Sequence, residues 1–417
     1  MPRWTFHSEF LAVLLLGACS SGGGEPSTPP PHSAMVTVDQ GPAGLTSSGL
    51  VAANAPYVTV TVCSPGSTSA CQDIDHVLVD TGSVGLRILH ELLSPAVAPR
   101  PVTDPSTGLP LSECLTFADG WAWGSVDTAD VTLGGRTIQN LVLQVVGDPA
   151  SGTAPSACST GNGPPENDVA SFGANGTLGV GYFLEDCGSA CSEQVAGGGA
   201  APFYACSGTG GDQGCRPVTA STTSQPANPI ARLSADNNGL ELRFPAVGPS
   251  PLTSLTGTLL FGIGTQPDNG LGTATLLAVD PNDGTISTTY KGTTFPGSFI
   301  DSGSTAYYFP DSTIAPCSSS GVAPGFYCPP GPVAASAVIA GAGGGQAQVE
   351  LTVGNAEQLF TSSPQAAVFP TLAGTIGELQ LPDGTFDWGM PFFYGRSVFM
   401  LFESRSLGST TGPAVGF

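Results

Sequence analysis

Apolar and polar positions alternate along much of the chain in short runs broken by Gly and Pro. Tyr57-Val-Thr-Val-Thr-Val62 has period two and is rich in β-branched residues, which predicts a half-buried strand. Ile74-Asp-His-Val-Leu-Val79 resumes the alternation after a turn-rich segment bounded by Cys63 and Cys71, so the two runs read as a hairpin. Val126–Leu133 ends in Gly134-Gly135 and is followed by Leu141–Val146, again strand-like. Thr258–Phe261 and Val398–Phe402 are apolar strand candidates in the second half. The one clear helix candidate, Pro229–Ser234, is short, and residues 147–168 and 187–226 have the Gly, Ser, Pro and Cys content of surface loops. The pattern predicts an all-β protein.

Composition agrees with that class and narrows the function. A chain of 417 residues suits two domains or lobes. Its 58 Gly and 38 Pro disfavour long helices. Asp and Glu number 32 against 10 Lys and Arg, and Lys291 is the single lysine. A formal charge of −22 repels phosphate backbones and excludes nucleic acid as a partner. An acidic surface also suits work at low pH, although it serves solubility equally well.

The N-terminus points to export. Arg3 precedes Phe10–Gly17, an apolar run too short to span a bilayer, which reads as the core of a signal peptide over residues 1–18. Leu16-Gly-Ala-Cys19 resembles a bacterial lipobox, which implies lipidation at Cys19 and anchoring through that lipid alone. Residues 19–50, Ser-, Gly- and Pro-rich, read as a flexible tether. Ser20 after Cys19 leans toward the outer membrane, facing periplasm or surface, by resemblance to lipoprotein sorting rules. Setting Cys19 aside leaves ten of the 11 cysteines, an even number as disulfides require. Close spacing suggests Cys63 with Cys71, Cys187 with Cys191, Cys206 with Cys215 and Cys317 with Cys328, and by elimination Cys114 with Cys158, although spacing alone leaves the connectivity open. A zinc site is disfavoured by irregular cysteine spacing and by only three histidines, His32, His76 and His90, in the mature chain. No metal and no cofactor is expected.

One internal echo carries candidate chemistry. Leu78-Val-Asp-Thr-Gly-Ser83 in the first half matches Phe299-Ile-Asp-Ser-Gly-Ser304 in the second. Each is a two-residue apolar run followed by Asp, a hydroxyl residue, Gly and Ser. Such a strand would end in a tight turn that Gly permits, with hydroxyls free to bond the backbone and the carboxylate. A single copy is an ordinary turn. Two copies about one domain length apart place Asp80 and Asp301 to meet from opposite lobes. Carboxyls that close share a proton and can work as general acid and base on a water and an amide carbonyl; the acid-protease pair is the standard example of this.

At these residues the chain resembles the pepsin-like aspartic peptidases, over roughly residues 55–417. The resemblance implies a bilobal pepsin-like fold with a cleft between two similar β-lobes, 51–245 and 246–417. It implies Asp80 and Asp301 as catalytic residues, with Thr81 and Ser302 bracing the two loops across each other. Gly82 and Gly303 supply the turns, and Ser83 and Ser304 are outer partners of the carboxylates. Gly176–Tyr182 is similar to the family segment that threads beneath the first loop, and Gly257–Gly264 to the strand opening the second lobe. Trp388–Phe393 followed by Val398–Glu403 resembles the last segment, but Asp387 stands where the family has an apolar residue. Phe117-Ala-Asp-Gly120 lies where the family flap carries Tyr-Gly-Thr-Gly, so Phe117 lacks the flap hydroxyl. Trp121 and Trp123 are then candidates for the substrate cleft, or for packing against the lobe. The basic pro-segment usual in such zymogens has no counterpart in residues 20–50, which hold no Lys or Arg. The chain is also similar to proteobacterial lipoproteins sharing the stretch Asp80–Arg87, a likeness that names no substrate.

The expectation is a monomeric, envelope-anchored aspartic endopeptidase acting on a peptide or protein. The alternative is a catalytically inactive binding or structural lipoprotein on the same fold, since fold does not dictate function. A serine hydrolase is disfavoured by the lack of a G-x-S-x-G elbow and of any histidine after His90, and the Gly-rich runs near Gly208 and Gly343 lack the context of a nucleotide site.

Overall fold

The computed structural model describes residues 31–193, 202–377 and 384–417; Cys19, the lipobox and the signal-peptide segment lie outside them. The protein is all-β, with a sixteen-stranded sheet, a seven-stranded sheet and a two-stranded ribbon among the described residues. The barrel-like curl of these sheets is compatible with two β-lobes.

Strands form where the alternation predicts them. Pro56–Cys63 buries Val58, Val60 and Val62 and exposes Thr59 between them. It pairs with Cys71–Asp80, and the disulfide Cys63–Cys71 joins directly opposed residues. Trp121–Leu133 and Arg136–Val146 form a long hairpin. Gly134 and Gly135 both take positive φ, +55° and +78°. That is the two-residue turn matching the right-handed twist of the flanking strands. All five expected disulfides are present, including Cys114–Cys158 across 44 residues.

Three local expectations are corrected. The composition of residues 19–50 predicts a tether, but Ser33–Val38 is a strand and Ala43–Ser47 a short helix. Ser33–Val38 pairs on one side with Pro56–Cys63 and on the other with Leu255–Phe261, so it stitches the two halves of the chain into one sheet. Its Val36 and Val38 are fully buried by those partners. The region 187–226, expected as loop, contributes strands Phe203–Cys206 and Cys215–Pro217 to the edge of the large sheet, opposed through the Cys206–Cys215 bridge. The helix expected over Pro229–Ser234 is a single 3-10 turn, Ile230–Arg232. No helix among the described residues is long and apolar enough to cross a membrane.

The second half is held by stacked aromatics. Phe386 lies 4.7 Å from Phe309 and 4.5 Å from Trp388, all fully buried, and the Trp388 indole N–H donates to Thr288 Oγ1 at 2.9 Å. In the first half the unusual buried element is Arg87, 0% exposed. Its guanidinium donates to Val84 O at 2.6 Å, to Asp186 at 2.9 Å and to Glu113 at 3.4 Å. Burial, then the Asp186 charge, pushes the Glu113 carboxyl well above the usual range despite Arg87.

Candidate active site

The same local construction occurs twice. Cys71–Asp80 ends at Asp80, runs parallel to Gly176–Val180, and that strand runs antiparallel to Val84–Leu89 after the turn. Thr293–Ile300 ends just before Asp301, runs parallel to Asp387–Trp388, and that pair runs antiparallel to Tyr307–Tyr308. Each threading strand covers one flank of a buried apolar run, Val79 at 0% and Ile300 at 2% exposure. The acidic residues therefore emerge at equivalent places.

The two turns face each other. A Cβ placed on Gly303 would lie 2.6 Å from Asp80 Oδ1 and 3.1 Å from Asp301 Oδ1. A Cβ on Gly82 would meet the Asp301 carboxyl at 2.6 to 2.8 Å. Any side chain at either glycine would occupy the space the carboxyls need, which is the physical reason for glycine here. Asp80 Oδ1 accepts from Gly82 N at 2.8 Å, and Asp80 Oδ2 accepts from the Ser83 hydroxyl. Asp301 repeats this with Gly303 N at 2.7 Å and Ser304 Oγ at 3.0 Å.

The hydroxyls between them tie the turns together. Ser302 Oγ accepts from Thr81 N at 3.1 Å and donates to Val79 O at 2.6 Å. Thr81 Oγ1 accepts from Ser302 N at 2.9 Å and donates to Ile300 O at 3.1 Å. Four hydrogen bonds in a buried cross thus link segments distant in sequence. Behind the second turn, buried Asn54 donates to Thr305 O at 2.7 Å and Phe369 O at 2.9 Å and accepts from Tyr394 Oη at 2.7 Å. Nothing in the largely apolar stretch 50–56 around Asn54 marks it as a clasp, because both of its carbonyl partners come from the far half of the chain.

The pair is electrostatically strained in the direction that retains a proton. Burial, then the Asp80 charge, then Asp387 push the Asp301 carboxyl well above the usual carboxylate range, with Asp80 within hydrogen-bonding reach. Asp387 is a third acid at this point, 1% exposed. Neither of its oxygens accepts a well-formed hydrogen bond, although Ser304 lies close enough to interact. Burial drives its carboxyl well above the usual range.

Two cavities meet at the carboxyl pair. One, of about 550 Å³, runs from Asp80 and Asp301 past Phe172 and Tyr308. The other, of about 440 Å³, runs from the same carboxyls past Tyr182, Phe183 and Asp186. Phe117 and Ala118, at the tip of the hairpin formed by Leu111–Thr116 and Trp121–Leu133, line both. Phe117 packs edge-on against Phe172 at 5.8 Å. The expected cleft role of Trp121 and Trp123 is corrected. Both are buried in a cluster with Cys114, Cys158, Tyr204, Cys206 and Cys215, and neither lines a cavity at the acid pair. Their indole N–H groups donate to Gly163 O at 3.2 Å and Gly152 O at 3.1 Å, which satisfies them inside the lobe.

Fold and site together define an all-β protein with two acids from equivalent turns converging in a cleft. The chain belongs to the family described as "Protein of unknown function (DUF3443)", which matches residues 30–417. No curated protein matches it.

Proposed function

We propose that this protein is a pepsin-like aspartic endopeptidase, exported and held in the cell envelope by a lipid on Cys19. The observation that carries the reading is the convergence of Asp80 and Asp301 from duplicated, hydroxyl-braced turns where two cavities meet. Two carboxyls in that relation hold one proton between them, and burial with the Asp80 charge pushes the Asp301 carboxyl upward. The ionised partner takes a proton from a water bound between the two, and the water oxygen attacks the peptide carbonyl carbon. The protonated carboxyl donates to the carbonyl oxygen as the tetrahedral intermediate forms. Return of protons to the amide nitrogen then releases the two product peptides. Gly82 N, Gly303 N, Ser83 and Ser304 keep both carboxyls oriented for this without reorganisation.

The purified protein incubated with a mixed peptide library across acid to neutral pH tests the reading. Cleavage is expected, falling about 10²–10⁴-fold in Asp80→Asn and in Asp301→Asn. Absence of cleavage at every pH, or cleavage indifferent to both substitutions, rejects it. Peptide binding that survives Asp301→Asn without any turnover in the parent protein would establish the inactive-binder alternative instead.

A further inference from the structure

The larger cavity contains a second pair of acids that the chemistry above does not use. Asp119 sits exposed at the hairpin tip, two residues beyond Phe117. Glu166 comes from the chain that runs beside Trp121, where Glu166 N donates to Trp121 O at 2.8 Å and Trp121 N to Pro164 O at 3.1 Å. This pairing presses the Glu166 side chain against Gly120 and directs it into the cavity.

Glu166 is only 9% exposed, and its carboxyl hydrogen-bonds another acid, the Asp119 carboxyl. Other buried surface-layer acids have donors: Asp104 has Ser106 and Thr107, Asp130 has Gly66 N and Asn140 N, Asp236 has Arg136. Burial and the Asp119 charge push Glu166 up to about 8. With the Glu166 proton shared between them, the two acids keep one negative charge that no cationic side chain of the cavity lining neutralises, and an arriving cation would meet it. Leu45, Leu50, Phe172, Phe326 and Phe360 give the same cavity apolar stretches of wall. Apolar walls leading to an anionic end fit a long side chain with an aliphatic stem and a charged head.

We infer that this arm of the cleft is a specificity pocket for a lysine or arginine side chain of the bound peptide, with Glu166 and Asp119 as its anionic end. The inference rests on the peptidase reading for its setting, but binding tests it independently. Matched peptides differing at single positions on either side of the cleaved bond, with Lys, Arg, norleucine or Glu, are assayed for kcat/KM. The parent protein is expected to favour Lys or Arg over norleucine at one position by tenfold or more. That ratio should fall about tenfold in Glu166→Gln and to a lesser degree in Asp119→Asn, whose exposed site leaves folding unthreatened. Lys favoured over Arg indicates a single ammonium seat, and Arg over Lys a forked contact to both carboxylates; either supports the pocket. A norleucine ratio near one in the parent, or a ratio unchanged in both variants, overturns it. If no peptide is cleaved, the peptidase reading fails. The same peptides, fluorescently labelled, then decide the pocket by anisotropy: a cation preference lost in Glu166→Gln supports it, and equal binding refutes it.

Discussion

Replacing Ser302 by Ala removes one hydroxyl but unsettles both turns. Ser302 is fully buried and Thr81 is 3% exposed, so water does not readily replace what is lost. The change leaves Thr81 N–H without its acceptor at 3.1 Å and Val79 O without a 2.6 Å donor. A buried donor left unpaired costs about 1–3 kcal/mol and a lost neutral hydrogen bond about 0.5–1.5 kcal/mol, so the expected loss is about 2–4 kcal/mol. Thr81→Val keeps the side-chain shape and strips the mirror pair, Ser302 N–H to Thr81 and Thr81 to Ile300 O, for a similar loss. Because each substitution loosens the contact the other relies on, the double variant should cost less than the sum, by about 0.5–3 kcal/mol. Guanidinium unfolding with disulfides intact, followed by tryptophan fluorescence, measures all three proteins. Peptide hydrolysis should fall as well, since misplacing a reacting group by about 1 Å can cost about 10²-fold. Losses below about 1 kcal/mol in both single variants, with additive behaviour in the double, would show that the cross of hydroxyls does not hold the turns.

Arg87→Met removes the bonds to Val84 O, Asp186 and Glu113 and is expected to cost about 3–5 kcal/mol, more at pH 8 than at pH 4 because burial raises the Glu113 carboxyl and favours its neutral form at the lower pH; unfolding midpoints equal to the parent's at both pH values would refute this. Removing the Cys114–Cys158 bridge by paired Ala substitutions frees a loop of 44 residues and should cost about 4 kcal/mol, against much less for Cys187–Cys191 with its separation of 4; equal melting shifts for the two would contradict the loop-closure account. Asp387 has a folded-state pKa raised above its unfolded value, so the stability tied to its proton is fully present below pH 4 and is lost as pH rises. Asp387→Asn, which has no such proton to lose, should flatten the fall in melting temperature between pH 4 and pH 8; a slope identical to the parent's would show that Asp387 does not contribute to it.

The all-β class, the local disulfides and the two Asp-Thr/Ser-Gly-Ser turns were legible in the residues because each depends on neighbours close in sequence. Alternation at Tyr57–Val62, the Gly134-Gly135 turn and the spacing of Cys63 and Cys71 are of this kind. Tertiary structure alone decided the rest. Ser33–Val38 sits in a Ser- and Pro-rich stretch and is held as a strand between the edges offered by Pro56–Cys63 and by the distant Leu255–Phe261. Trp121 and Trp123 resemble cleft aromatics by position, but strand pairing turns them toward the Cys114–Cys158 bridge. Asn54 and Glu166 carry no local mark, since what distinguishes each is a partner supplied by distant chain, and Asp387 shows in the sequence only as a departure from the family pattern, its burial being decided by distant chain. Local propensity follows from a residue and its neighbours, whereas burial and charge environment follow from which remote segments pack against it.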